Sequence, residues 1–326
     1  AGYPALAYTD EDKCDETSYR DPYYKPDWDP VLFAHSCYIS HLCAIDRTLA
    51  LQHGAYTDHV PEGSHDWDTF MRFWLAGHTP YHVPEVLYTW RMHAQSTAGN
   101  IHSKSYIYSS QSHVIGKLVK HSAHPDWYSV ELSPMFDGTP DWRIVRNSNA
   151  SKPSIATVLL GDNPATIEAL GSSGPFGEDP VARLLRSIEQ VRAPFVHLQS
   201  PDVSVTDGTW KQDAQMLFEL FPDTAVVGGR FKLGHEIVAA DVYFGFGNGF
   251  DSPNTTRNVA DSGYFCQMWK PHSVSAVSVQ HCVVRTELLR EVLAALVGTG
   301  IELEHLGIWL GAAARRRNQR VVYTPF

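Results

Sequence analysis

Along the first 125 residues the apolar positions come in short runs of mixed period; from residue 154 they settle into alternating strand-like and helix-like segments. In the first region "SHDWDTFMRFWLAGH" (64–78) spaces Trp67, Phe70, Met71 and Trp74 as one helical face, with Ser64 as cap and acids in the first turn. "PYHVPEVLYTWRMH" (80–93) reads as extended chain punctuated by Pro80 and Pro84. "DPVLFAHSCYISHLCAIDRTLAL" (29–51) mixes strand and helix periods behind a proline-rich turn. In the second region "SIATVLL", "PFVHLQ" and "AVVGGRF" are strand candidates, and "DPVARLLRSIEQVRA" (179–193) and "GTWKQDAQMLFELF" (208–221) are helical. That order predicts an α/β fold on a mixed sheet. Residues 126–153 are rich in Pro, Ser, Asn and Asp and are expected to link a first domain (1–125) to a second (154–326).

The two regions echo each other. "SCYISHLCAIDRTLAL" (36–51) and "SVSAVSVQHCVVRTELL" (273–289) share an apolar run ending in Arg-Thr before a helix. "DWDTFMRFWLAGHTPYHVP" (66–84) and "HLGIWLGAAARRRNQRVVYTP" (305–325) share a helix-to-strand layout ending in Pro, which sets Asp66 on His305 and Asp68 on Gly307. The pattern predicts tandem copies of one domain type, with the carboxylates in the first copy; a chance match of apolar patterns is the other reading.

Composition narrows the partners. A net charge of −10 gives no electrostatic case for nucleic acid or an anionic membrane. The basic run "ARRRNQR" (314–320) is a solvated helix end or a phosphate contact. No apolar run is long enough to span a bilayer, while an interfacial helix on a flanking segment stays open. Five cysteines without metal-site spacing suit a reducing compartment. The start at Ala1 and the apolar end "VVYTPF" read as cuts through a fold at both ends.

The motifs "YTDEDK", "DPYYKPDWDP", "YISHL", "EGSHDWDTFMR" and "VPEVLYTWRMHAQSTA", in that order, resemble the carboxyl-terminal half of a bacterial family 2 glycosyltransferase domain of GT-A fold, of the surface-polysaccharide and O-antigen type. The match covers residues 1 to about 100; the region from 154 resembles a second, degenerate copy. The resemblance implies a Rossmann-like mixed sheet with flanking helices and transfer of a sugar from a nucleotide-diphosphate sugar to a growing glycan. It further implies inversion at the sugar, a divalent cation (Mn²⁺ or Mg²⁺), an oligosaccharide or lipid-linked acceptor, and a cytoplasmic location at the inner face of the membrane, with peripheral association through flanking segments.

It also assigns roles. Asp66 is the implied general base, with Asp68 in support; as plain residues both are first-turn acids that favour a helix. In this family the metal-binding Asp-x-Asp lies upstream of "YTDEDK", so Asp10 and Asp12 are expected to line the acceptor side of the cleft, direct metal ligation and a plain acidic turn being the alternatives. Arg91 has the planar fork of donors that suits a diphosphate, and His93 is the implied metal ligand. Lys25 and Trp28 are expected near the cleft, Trp28 as a sugar-stacking face or as core. His41 carries little functional weight.

In the second copy "PFVHLQ" should end in Asp-x-Asp but continues as Gln199, Ser200, Pro201, Asp202, leaving Asp162 and Asp202 as its only tempting acids. A non-catalytic carbohydrate-binding or scaffolding module is therefore the competing expectation. A nucleotidyltransferase would need a glycine-rich phosphate loop, and "GSSGPFG" (171–177) lacks the Lys.

Overall fold

A computed structural model describes residues 3–92, 106–136, 141–152, 154–160, 179–246 and 249–326. The chain is a mixed α/β protein that divides into two compact units, Ala1–Ala150 and Ser151–Phe326.

The first unit is organised around β1 (Leu6–Cys14). One edge of β1 carries two short antiparallel neighbours: β2 (Tyr19–Tyr23) beside Glu11–Cys14 and β3 (Cys43–Ile45) beside Leu6–Tyr8. The other edge pairs in parallel with β4 (Tyr81–Arg91), from Ala7 opposite Tyr81 to Cys14 opposite Arg91. Register shifts on either side of Asp10 absorb the stretch of β4 containing Pro84, which cannot donate to the ladder. They also break the in-out alternation, so Tyr8, Thr9 and Asp10 are buried in succession.

The unit has four α-helices among its described residues. α1 (Pro30–His35) starts at Pro30 and is capped by Asp29, which accepts the Val31 amide at 3.0 Å. α2 (Arg47–Gln52) is capped by Asp46 through the Leu49 amide at 2.9 Å. α3 (His65–Leu75) matches the predicted helix, but Ser64 makes no side-chain cap. Its hydroxyl lies 3.2 Å from that of Ser110 in α4 (Tyr106–His121), a long-range bond outweighing the local one. Trp67, Phe70, Met71 and Phe73 of α3 and Val114 and Ile115 of α4 are core residues with Leu6, Tyr8, Phe33 and Ile39. The stretch expected to be a linker contains an antiparallel hairpin, β5 (Tyr128–Leu132) with β6 (Trp142–Arg146). The Trp142 indole donates to Gln111 of α4 at 3.0 Å, tying the hairpin to the first unit.

The second unit holds a six-stranded sheet in the order His272–Val274, Arg320–Tyr323, Thr224–Gly228, His281–Arg285, Phe195–Gln199, Ile155–Leu159. His281–Arg285 runs antiparallel to both neighbours; Phe195–Gln199 pairs in parallel with Ile155–Leu159, and Thr224–Gly228 with Arg320–Tyr323. The apolar faces of helices Pro180–Glu189, Thr286–Leu296 and Leu306–Arg316 complete its core. Leu306–Arg316 lies so close to the chain at 275–277 that a Cβ on Gly307 or Gly311 would collide with the carbonyl oxygens of Val277 and Ser275.

Candidate functional site

The acidic end of β1 gathers the polar chemistry of the first unit. Asp10, 3% exposed, accepts the Lys25 amide at 2.9 Å and faces His82 Nε2 at 2.8 Å. His82 Nδ1 reaches Asp27 at 3.0 Å, and its ring stacks on Tyr8 at 4.8 Å. Burial pushes the Tyr8 phenol up, and its hydroxyl donates to the Pro26 carbonyl at 2.7 Å. These bonds pin the stretch 23–28 against β1. Sequence reasoning missed His82; the signal was an imidazole between two prolines in an extended run.

Glu11 takes a different set of partners. Its Oε2 accepts from the Lys25 ammonium at 3.0 Å and from both the backbone amide and the ring Nδ1 of His41 at 2.9 Å. Burial opposes the Glu11 charge, yet the His41 hydrogen bond and the Lys25 ammonium outweigh it and hold the carboxyl below its ordinary value. The Lys25 side chain is fully buried and donates also to the Ser40 carbonyl. His41, given little weight from sequence, packs against Tyr88 and Trp90 of β4 with centroids 5.3 and 4.8 Å away.

Ser40 carries the network to α3. Its hydroxyl donates to Asp66 Oδ2 at 2.7 Å, and the Trp67 amide donates to Asp66 Oδ1 at 2.8 Å. Gly63, at φ +79°, makes the turn that delivers α3, and a side chain there would meet the Tyr106 ring. Asp66 therefore sits in the first helical turn, and among the described residues each of its oxygens accepts one hydrogen bond. Two neighbouring thiols are kept neutral. Burial, with Asp66 adding, pushes Cys37 well up; burial pushes Cys43 to about 12. "YTDEDK", "YYKPDWDP", "YISHL" and "EGSHDWD" are thus joined in one hydrogen-bonded chain.

Other expected site residues lie apart from that chain. Asp68, 1% exposed, pairs with Arg72 at 2.8 Å and with Lys117 of α4. Arg72 and Lys117 also reach Asp58, at 3.3 and 2.8 Å, and the Lys117 bond first of all holds that carboxyl well below the usual range. This cluster fastens α3 to α4. Trp28 packs on Phe33 and Trp74, with centroids 4.9 and 5.8 Å away. Arg91 is exposed at the end of β4, and His93 lies outside the described residues.

Asp12 is half-buried, and its Oδ1 has no hydrogen-bond partner among the described residues. It is one unengaged acid oxygen, while the carboxylates of Asp10 and Glu11 are committed to His82, His41 and Lys25. A hard divalent cation needs several oxygen ligands. The described residues here do not fit a complete cation site.

In the second unit His305 is exposed, 4.0 Å from Glu302, and Gly307 is buried against Val277. Asp202 is exposed in the turn after Phe195–Gln199, and Asp162 and the glycine-rich "GSSGPFG" fall outside the described residues. Its notable polar feature is a buried histidine pair: His197 Nε2 lies 2.7 Å from His281 Nδ1, under Trp210. Burial pushes His197 down to about 3, with His281 and Lys211 adding to the effect.

No family model matches the chain. It is similar to "Uncharacterized protein y4gI" of Sinorhizobium fredii, 25% identical over 365 aligned positions that cover 98% of this chain and 40% of that protein. It is also similar to "O-antigen biosynthesis protein RfbC" of Myxococcus xanthus, 34% identical over 85 residues, which are 26% of this chain and 7% of that protein. The chain thus spans less than half the length of either relative.

Proposed function

We propose that this chain is part of a GT-A-type glycosyltransferase of surface-glycan assembly, in which Asp66 is the general base. The observation that carries the reading is the placement of Asp66: a carboxylate in the first turn of an eleven-residue helix, oriented by Ser40 and the Trp67 amide. The helix amino terminus presents its first amides on the side where Asp66 stands, and the Trp67 amide is one of them. The partial similarity to an O-antigen biosynthesis protein gives the glycan context.

In this reading an acceptor hydroxyl docks on a free lone pair of Asp66, gives up its proton as it attacks the sugar of a nucleotide-diphosphate donor, and inverts that carbon. Lys25, Glu11 and Ser40 hold the base in position. The divalent cation of such a reaction, Mn²⁺ or Mg²⁺, would neutralise the leaving diphosphate. Asp12 Oδ1 has no hydrogen-bond partner among the described residues and would be one ligand for it, and Arg91 would be the diphosphate contact. The acceptor is an oligosaccharide or lipid-linked glycan, met at the inner face of the cell membrane. No helix among the described residues is long and apolar enough to cross a membrane. The second unit is read as a copy of the same domain type without a base.

The test is sugar transfer by the whole protein that carries this chain, assayed with a panel of nucleotide sugars. Asp66→Asn should lower kcat by about 10²-fold or more while acceptor binding persists. Full activity in that variant, or glycan binding without transfer by the wild type, would leave a carbohydrate-binding module as the better reading.

A further inference from the structure

Beside the Asp66 network the first unit contains a partly open cavity of about 200 Å³. Its lining includes His35 and Cys37 from the end of α1 and just beyond, Trp67 of α3, Gln111 of α4, and Asp141 and Trp142 at the start of β6. Trp67 directly follows Asp66, and the Cys37 thiol lies 3.3 Å from the Ser40 hydroxyl that bonds Asp66. Asp66 itself is not in the lining, so the cavity neighbours the reacting centre without being it.

We infer that this cavity is an acceptor subsite that takes one pyranose ring of the glycan, next to the ring bearing the reacting hydroxyl; the inference rests on the glycosyltransferase reading above. The lining has the two-sided character such a ring requires. The indoles of Trp67 and Trp142 offer apolar faces to the C–H side of a sugar. Polar groups for its hydroxyls are already set in orientation. His35 Nδ1 donates to the Val31 carbonyl at 2.8 Å, which fixes the orientation of the ring. Gln111 receives the Trp142 indole on Oε1, which leaves its amide NH₂ as donor. At about 200 Å³ the space is smaller than the 300–1,000 Å³ of drug-sized sites and suits a single ring. The hairpin gains a purpose as well, since it brings Asp141 and Trp142 to a wall otherwise built by α1, α3 and α4.

The probes are methyl glycosides of common hexoses and N-acetylhexosamines, titrated into the chain and followed through the indole N–H resonances of its nine tryptophans. Trp67→Phe and Trp142→Phe assign the two signals of the wall. The expected result is a saturable shift of those two signals with at least one glycoside, retained in Asp66→Asn and weakened tenfold or more in Gln111→Leu and Trp142→Ala. Should Trp142→Ala lose its fold, Gln111→Leu decides. No shift with any glycoside, or unchanged binding in Gln111→Leu, overturns the subsite. In the whole protein, transfer with an unchanged acceptor KM in Gln111→Leu would remove the subsite and keep the enzyme. Glycoside binding at these tryptophans with no transfer would keep a sugar site and remove the enzyme.

Discussion

One stretch of each unit follows the same order of elements, and the two stretches differ in what they do with it. In the first, β1 has an antiparallel neighbour in β3, then come α2 and α3, and β4 closes in parallel on β1. In the second, Thr224–Gly228 has an antiparallel neighbour in His281–Arg285, followed by Thr286–Leu296 and Leu306–Arg316, and Arg320–Tyr323 closes in parallel. The helix before the closing strand starts with Asp66 and Asp68 in the first unit. In the second the helix start carries His305 and Gly307, and Gly307 is pressed so closely on Val277 that no side chain fits. One unit uses the helix start for charge held in a hydrogen-bonded chain; the other uses it for close backbone packing. A carboxylate cannot be placed at 307 by substitution alone, because there is no space for its Cβ.

The sharpest way to break the comparison is functional: Asp66→Asn should abolish most transfer, whereas His305→Asn should leave it unchanged. Next in size is Gly307→Ala. Its methyl group must displace the backbone at Val277, so the second unit should lose about 3 kcal/mol, read as an earlier denaturant midpoint by hydrogen exchange, with the first unit unaffected. Lys25→Met strips the ammonium from a buried pair and should cost the first unit about 3 kcal/mol; Lys25→Met combined with Glu11→Leu should recover part of it. The most gradual effect is the response to acid. His197 is pushed down to about 3 from 6.5, so its unfolded form binds a proton first. Stability present in full above pH 6.5 is then lost as the pH falls toward 3, with a slope of up to about 1.4 kcal/mol per pH unit per proton. Glu11 is lowered from 4.5, so its contribution is present above that value and is lost only on further acidification through its lowered folded value. Hydrogen exchange against pH should therefore show the second unit weakening first, and His197→Leu should shrink the early step, to which His281, also pushed down by burial, contributes as well.

What the sequence made legible was whatever depends on local period. The strand in "PFVHLQ", the helix in "GTWKQDAQMLFELF" and the extended run before Arg91 appear as Phe195–Gln199, Trp210–Leu220 and Tyr81–Arg91. The α/β class followed from their order. Contacts between distant residues were not legible. Ser64 has the type and place of a cap but bonds to Ser110, and Asp68 has the look of a supporting acid but is held by Lys117, 49 positions away. His82 and His41 carry no motif of their own; only the fold brings them to Asp10 and Glu11. The hairpin was hidden because Pro, Ser and Asp in its turn dominated the composition of two short strands.

Lys25 has a consequence beyond stability. Its amide holds Asp10, its ammonium holds Glu11, and the same ammonium holds the Ser40 carbonyl, whose residue orients Asp66. Changing Lys25 or Glu11 alone strands a buried charge, while changing both to apolar residues does not. The two positions are therefore coupled: a paired exchange is tolerated better than either single one. Because Ser40 hangs from the same ammonium, the geometry of the proposed base depends on that pair as well.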